Sequence, residues 1–188
     1  HPDGHAPMPD IVARGRRPEV YACSFCHRAE GSGGPENSRL AGLPAAYIVQ
    51  QMADFKSGAR GTSVPKRLPT TAMISLARAV TSDEVAAAAA YLSAIPPRRS
   101  IRVIETATVP KTSVANWILA VDESGEREPI GARIIEVPED PEQFEHRDSR
   151  AGFIVYAPIG SVRKGEALAA TGGEGGGGQR TVPCAICH

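Results

Sequence analysis

All four cysteines of this 188-residue chain occur in two copies of one pattern, Cys-x-x-Cys-His. The first copy runs from Cys23 to His27, and the second comprises Cys184, Cys187 and His188. Two thiols on one helical turn can form thioethers with the vinyl groups of a single porphyrin, and the imidazole that follows can bind the iron. The pattern therefore predicts two covalently bound haem c groups, with His27 and His188 as iron ligands.

Other sites also use paired cysteines, but this arrangement does not favour them. In a zinc ribbon the two pairs usually lie about 15–20 residues apart, whereas more than 150 residues separate Cys26 from Cys184. A thioredoxin-type redox pair belongs to a βαβ setting, and no strand is predicted before Cys23. Structural disulfides would suit an exported protein, but both adjacent histidines would then be coincidences.

A haem iron needs a second axial ligand, and methionine is a soft thioether ligand that raises the reduction potential. Met73 lies in "VPKRLPTTAMISLARAV", which is predicted to be an irregular stretch from which its side chain can point inward. Met52 lies on the apolar face of a predicted helix and is expected to pack in the core. Met73 is therefore the predicted distal ligand of the first haem, with Met8 or a histidine as alternatives.

Two predicted helices flank the stretch that contains Met73. The first, "LPAAYIVQQMADFKSG", has Pro44 near its first turn and Gly58 as its terminator. The second, "TSDEVAAAAAYLSAIPP", begins with a capping box between Thr81 and Glu84 and is stopped by two prolines. The first hundred residues are therefore predicted to be mainly α-helical.

In content and order these residues resemble the class I c-type cytochromes, and more closely their two-haem periplasmic members built by duplication. The matching stretches within residues 10–97 are "CSFCH", "LAGLPAAYIVQQMADFKSGAR", Met73 and "TSDEVAAAAAYLSAI", and the resemblance resumes at "GSVRKGEALAATGG" and "TVPCAICH". It implies a small α-helical fold, His/Met ligation of the haem iron and electron transfer in the bacterial periplasm. Because the second module stops at His188, we expect the natural polypeptide to continue and to supply a distal ligand downstream.

Three residues depart from the pattern of that family. Arg28 stands where a glycine usually follows the haem-binding histidine. Pro18 interrupts the expected first helix, which should therefore start late or kink. Ser38 stands where a proline commonly accepts the imidazole N–H through its carbonyl, which leaves Pro35 or a neighbouring carbonyl for that role.

Short segments rich in β-branched and aromatic residues follow between residues 100 and 157, and turn-forming stretches separate them. The stretch from Asp122 to Gly125 suits a hairpin connection. The predicted fold class is α+β. It combines a mainly α cytochrome c domain (residues 1–98), an inserted antiparallel β segment (99–158) and the beginning of a second, truncated cytochrome c domain (159–188).

The β segment contains an acidic stretch from Glu136 to Asp148 with six carboxylates. Such a run is more often a solvated loop than a site. A docking surface for a basic partner, or for the first domain, is the alternative.

The chain has 21 basic and 21 acidic residues, which argues against nucleic-acid binding, and no apolar run is long enough for a bilayer span. We expect a periplasmic electron carrier, or the electron-transfer subunit of a periplasmic oxidoreductase, whose partners are redox proteins rather than small-molecule substrates. The alternative is a haem enzyme, such as a two-haem peroxidase or a catalytic dehydrogenase subunit. A peroxidase needs an open iron position with nearby acid–base groups, and no such set surrounds Met73.

Overall fold

A computed structural model describes residues 6–62, 68–115, 118–173 and 182–186. Its helices are α1 Asp10–Ala13, α2 Cys23–His27, α3 Ala45–Ser57, α4 Leu68–Ala79, α5 Ser82–Ser93, α6 Pro141–Glu145 and α7 Ser161–Thr171, with a 3-10 turn at Cys184–Ile186. Its strands are β1 Gly15–Arg16, β2 Val20–Tyr21, β3 Ile101–Glu105, β4 Thr108–Pro110, β5 Thr112–Ala115, β6 Ile118–Val121, β7 Arg127–Pro129, β8 Ile135–Pro138 and β9 Phe153–Ala157.

The chain divides into two compact units that are each built from more than one stretch of sequence. The first unit contains His1–Ser100, Val114–Ile118 and Pro138–Phe153. The second contains Ile101–Ser113, Leu119–Val137 and Ile154–His188. The acidic stretch, which is predicted to be a solvated loop, thus supplies a short helix, α6, to the unit that contains Cys23–His27.

The core of the first unit lies where α3 packs against α4 and α5, and where α1 contacts α2 and α5. Alanines on α5 leave room for close helix contact, and Ala88 and Ala89 are both buried. The buried residues of this core are Ile11, Val12, Val20, Ile48, Val80, Ala88, Ala89, Tyr91 and Leu92. Burial of this apolar surface is the main term that stabilises the helices, because isolated helices of 12–13 residues are marginal in water.

The predicted ends of α3 and α5 are confirmed. Pro44 occupies the N-cap position of α3, and Gly58 terminates the helix in the left-handed conformation with φ 85°. At the start of α5 the Glu84 backbone N–H donates to Thr81 Oγ1 at 3.2 Å, and the Thr81 N–H donates to Glu84 Oε2 at 2.8 Å. These two bonds form the capping box that the sequence predicts.

The prediction of an irregular stretch around Met73 is wrong, because Leu68–Ala79 form the helix α4. Pro69 falls in the first turn of α4, where a missing backbone N–H costs no helical hydrogen bond. Apolar residues near the C-terminal end then attach the helix to the core, since Leu76 and Ala79 pack against it and Ala77 is buried.

Pro18 neither delays nor kinks the first helix, because it lies outside that helix. The first helix ends at Ala13, and β1 pairs antiparallel with β2 through Gly15↔Tyr21 and Arg16↔Val20. Pro18 lies in the turn between these strands, after a cis peptide bond. The chain therefore reaches the first haem motif through a tight hairpin.

The β segment forms three small sheets in the described residues rather than a single antiparallel sheet. One sheet has the strand order β3-β9-β8, and two further sheets pair β4 with β7 and β5 with β6. The turn from Asp122 to Gly125 exists, but it joins β6 to β7, which are not partners. The second unit has its own core of Val109, Ile130, Ile135 and Val137.

Within the residues that the structure describes, no helix combines the length and apolar character that a bilayer span requires.

Candidate functional site

The first Cys-x-x-Cys-His motif forms the whole of helix α2. Cys23 and Cys26 lie three residues apart on one helical turn, both are half-buried, and neither is in a disulfide. Because a turn repeats every 3.6 residues, the two sulfurs project from the same side of α2. This is the arrangement that two thioether bonds to one porphyrin require.

The His27 imidazole is oriented by a backbone carbonyl. Its Nδ1 atom lies 2.8 Å from Ser38 O. Burial lowers the pKa of His27, and the contact with the Ser38 carbonyl opposes that shift. With Nδ1 occupied as the donor, Nε2 is left as the nitrogen that can bind a metal, which is the usual arrangement of a metal-binding histidine.

The loop from Arg28 to Leu40 brings the Ser38 carbonyl to the histidine. The Gly33 N–H donates to His27 O at 3.1 Å, and a tight pair of backbone bonds joins Gly34 to Asn37. The Tyr91 hydroxyl donates to Ala29 O at 2.8 Å, which ties the loop to α5. The carbonyl that accepts from His27 is thus that of Ser38 itself, and not that of Pro35.

Burial raises the pKa of the Cys23 thiol to about 11. Burial also raises the pKa of Cys26, although the nearby Arg147 cation opposes this shift. A catalytic disulfide pair depends on a thiol whose pKa is lowered. The surroundings of both thiols therefore argue against a thioredoxin-type role.

Arg28 shows why a glycine is usual at the position after the histidine. Its backbone has φ 62° and ψ 163°, a region that is essentially restricted to glycine. Its side chain is nevertheless buried, with 5% of its surface exposed. Burial lowers the pKa of its guanidinium, and the nearby Glu30 opposes that shift. The departure from glycine is visible in the sequence, but the contacts that hold this arginine are not.

Met73 lies in the middle of α4 and is half-buried. Helix α4 packs against α3 and contacts β2, which leads directly into α2. Met8 and Met52 differ from Met73, because both pack against the core of the first unit. The core thus accounts for two of the three methionines of the chain and leaves Met73 available for another role.

The second motif is described only in part. Cys184 lies in the 3-10 turn Cys184–Ile186, is exposed and is not in a disulfide. This turn contacts α7, as helix α2 contacts α1 in the first unit. Cys187 and His188, like Trp117 of the β segment, lie outside the described residues.

A cleft of about 1110 Å³ lies in the first unit, but the predicted haem residues do not line it. Its walls come from the loop after α2, the end of α5 and the α6 segment, including Glu30, Arg39, Tyr91, Arg98 and Arg150. The predicted haem-binding residues and this cleft are therefore distinct features.

Comparison with known proteins identifies the same part of the chain. Residues 12–96 match the family model described as cytochrome c. The chain is 37% identical over 82 residues to a thiosulfate dehydrogenase electron acceptor of Thiomonas intermedia (strain K12), a match that covers 43% of this chain and 34% of that protein. It is 37% identical over 84 residues to the protein of the same description from Stutzerimonas stutzeri (strain A1501), with 44% and 35% covered.

The chain thus spans about a third of the length of these curated relatives. Among solved structures, a thiosulfate dehydrogenase (TsdBA) from Marichromatium purpuratum aligns with 50% of this chain and 19% of its own length. The identity is 31% and the TM-score 0.43.

Proposed function

We propose that residues 12–96, which match the family model described as cytochrome c, form a haem domain, and that the chain carries electrons through haem c bound to Cys23 and Cys26. The observation that carries this proposal is the 2.8 Å contact between His27 Nδ1 and Ser38 O, which leaves Nε2 for the iron. Haem c supplies one-electron exchange between ferrous and ferric iron. The chain supplies two thiols for attachment, an oriented imidazole and a folded surrounding that limits access of water.

Met73 is the proposed second axial ligand of the first iron. Its support is that Met8 and Met52 pack against the core, whereas Met73 is half-buried outside that cluster. A thioether ligand favours the ferrous state and so raises the reduction potential. Ligation by both His27 and Met73 would leave no open position for a substrate, which suits a carrier better than a peroxidase.

A second haem is proposed at Cys184, Cys187 and His188. The support is the repetition of the motif and the presence of α7 before it, in contact with the turn that holds Cys184. Two haems in one chain permit stepwise transfer between an electron donor and an acceptor. This arrangement is the one that a duplicated, periplasmic cytochrome would have.

The proposed partners are redox proteins of the periplasm. Two relatives are described as electron acceptors of a thiosulfate dehydrogenase, and each shares 37% identity with this chain over a little more than 80 residues. We infer that this chain takes electrons from an oxidoreductase in the same manner.

Optical spectra of the purified, haem-loaded protein test this proposal. A six-coordinate carrier should show sharp reduced α and β bands and a reversible one-electron titration, and it should bind carbon monoxide poorly. Rapid binding of carbon monoxide to the first haem, together with turnover of hydrogen peroxide, would instead support the haem enzyme. Absence of covalently bound haem would overturn both functions.

A further inference from the structure

Two arginines join the proposed haem-attachment helix α2 to the segment 138–153. One arginine donates hydrogen bonds from the α2 side to the segment, and the other donates from the segment to α2. Arg28, which follows α2, donates from Nη1 to Asp148 O at 3.0 Å and from Nη2 to Phe144 O at 3.1 Å. Arg147, which belongs to the segment, donates from Nη2 to Ser24 O at 2.7 Å. Each arginine therefore binds backbone carbonyls of the other element.

The Arg28 contacts are well suited to hold a buried cation. Its guanidinium carbon lies 5.0 Å from the centre of the Phe144 ring, so the plane of charge faces an aromatic ring as well as two carbonyls. Phe144 in turn meets the buried Phe153 edge to face, with 5.9 Å between ring centres. A bidentate, stacked arginine of this kind is not equivalent to a lysine.

The backbone conformations of both arginines indicate that contacts with other segments maintain them. Arg28 and Arg147 are the non-glycine residues with positive φ among those that the structure describes, at 62° and 58°. Such conformations are unfavourable for residues other than glycine and persist only where surrounding contacts determine them. The hydrogen bonds between α2 and the segment are contacts of that kind.

We propose that Arg28 and Arg147 are positioning residues that make the segment 138–153 a functional part of the first haem site. The inference rests on the proposed function of α2 as the haem-attachment helix. Arg28 fixes the C-terminal end of α2, next to His27. Arg147 places a cation on the carbonyl of Ser24, between the two attachment cysteines.

This arrangement has a consequence for the reduction potential. The ferric haem carries one more positive charge than the ferrous haem, so a nearby cation destabilises the ferric state. The Arg147 guanidinium therefore raises the potential of the first haem. Loss of the Arg28 contacts loosens the end of α2 and exposes the attachment site to water. Water favours the ferric state, so this loss lowers the potential of the first haem.

The test uses the full chain with Cys184→Ser and Cys187→Ser, so that the first motif alone binds haem. In this background Arg147→Gln, Arg147→Lys, Arg28→Ala and Arg28→Gly are compared with Arg14→Gln. Arg14 is a matched control because it belongs to the same unit and forms an exposed pair with Asp10 at 3.0 Å. Midpoint potential is measured by redox titration, and hydrogen exchange is measured for residues 22–28 and 138–153.

Arg147→Gln should lower the midpoint potential, Arg147→Lys should retain most of it, and Arg14→Gln should leave it unchanged. Arg28→Ala should accelerate exchange in both elements by roughly tenfold, as expected when hydrogen bonds to a charged group are lost. Arg28→Gly should show the same acceleration with a smaller loss of stability, because glycine tolerates the backbone conformation.

If Arg147→Gln and Arg28→Ala match Arg14→Gln in both potential and exchange, the proposal is wrong. If Arg28→Ala fails to fold, the comparison of Arg147→Gln with Arg147→Lys is decisive, because Arg147 is exposed. A parent protein that binds no haem would overturn the proposed function instead, and the exchange measurement would still decide whether the two arginines hold α2.

Discussion

His27 Nδ1 and the carbonyl oxygen of Ser38 lie 2.8 Å apart, so the imidazole is oriented by the backbone and not by a side chain. Because the acceptor is a backbone carbonyl, a serine can supply it as well as a proline can. Ser38→Ala should leave the reduction potential and the optical spectrum of the first haem unchanged, because the acceptor atom stays. A substantial change in either measurement would mean that the hydroxyl of Ser38 contributes.

Gly33 controls where that carbonyl lies. It has φ 65°, and a Cβ there would clash with Asn37 O and lie 2.7 Å from Ser38 O. Gly33→Ala should lower the free energy of unfolding by more than about 1 kcal/mol and shift the potential of the first haem, because the Ser38 carbonyl must move. Urea unfolding and redox titration measure the two effects.

Gly61→Ala is the matched control for this prediction. A Cβ at Gly61 meets nothing within 4 Å. The control should leave the potential unaltered and change stability only slightly. Equal behaviour of the two variants would show that the loop adapts without disturbing His27.

Met73→Ala should abolish the weak long-wavelength band of methionine-ligated ferric haem and lower the reduction potential, because a soft thioether favours ferrous iron. Met52→Ala is the control, since Met52 packs against the core. It should reduce the free energy of unfolding by about 1–3 kcal/mol and leave the band intact. Survival of the band in Met73→Ala would exclude Met73 as the ligand.

The ion pair between Glu84 and Arg16 should make a pH-dependent contribution to the free energy of unfolding. A side-chain hydrogen bond from Arg16 is the largest cause that lowers the pKa of Glu84, to about 2 from its usual 4.5, and the Thr81 backbone N–H adds to it. Arg16 Nε lies 2.8 Å from Glu84 Oε1. Because the folded-state pKa is lowered, the contribution is present above pH 4.5 and is lost as pH falls towards 2.

Glu84→Gln keeps a residue that completes a capping box but removes the charge that pairs with Arg16. Urea unfolding should show the variant less stable than the parent near neutral pH, with the difference shrinking on acidification below about pH 4. Asp83→Asn, in the same helical turn, controls for the loss of one carboxylate there. A stability difference between Glu84→Gln and the parent that does not depend on pH would contradict the assigned role of the ion pair.

The second motif predicts the haem content. Intact mass should exceed the polypeptide mass by two haems, and Cys184→Ser with Cys187→Ser should remove one of them, because attachment requires both thiols. Cys23→Ser with Cys26→Ser is the reciprocal variant and should leave the other haem. A parent protein with one haem and free thiols at Cys184 and Cys187 would limit the chain to a single redox centre.

Several features of this protein depend on residues that are close in sequence, and these follow from the sequence by itself. The haem motif is a spacing of three residues on one helical turn, and the Thr81–Glu84 capping box spans a single turn. Pro44 and Gly58 mark the ends of α3 by their own backbone preferences. Local sterics, covalent geometry and short-range hydrogen bonds are sufficient for these features.

Other features depend on how distant segments meet in the folded protein. The sequence predicts an irregular stretch around Met73, yet burial of Ala77 and packing of Leu76 hold this segment as a helix. Ser38 reaches His27 because the intervening loop closes on α5. Arg28 meets the carbonyl of Asp148 across 120 residues of sequence, and no local pattern encodes such a contact, because its energy appears only after the chain has closed around both groups.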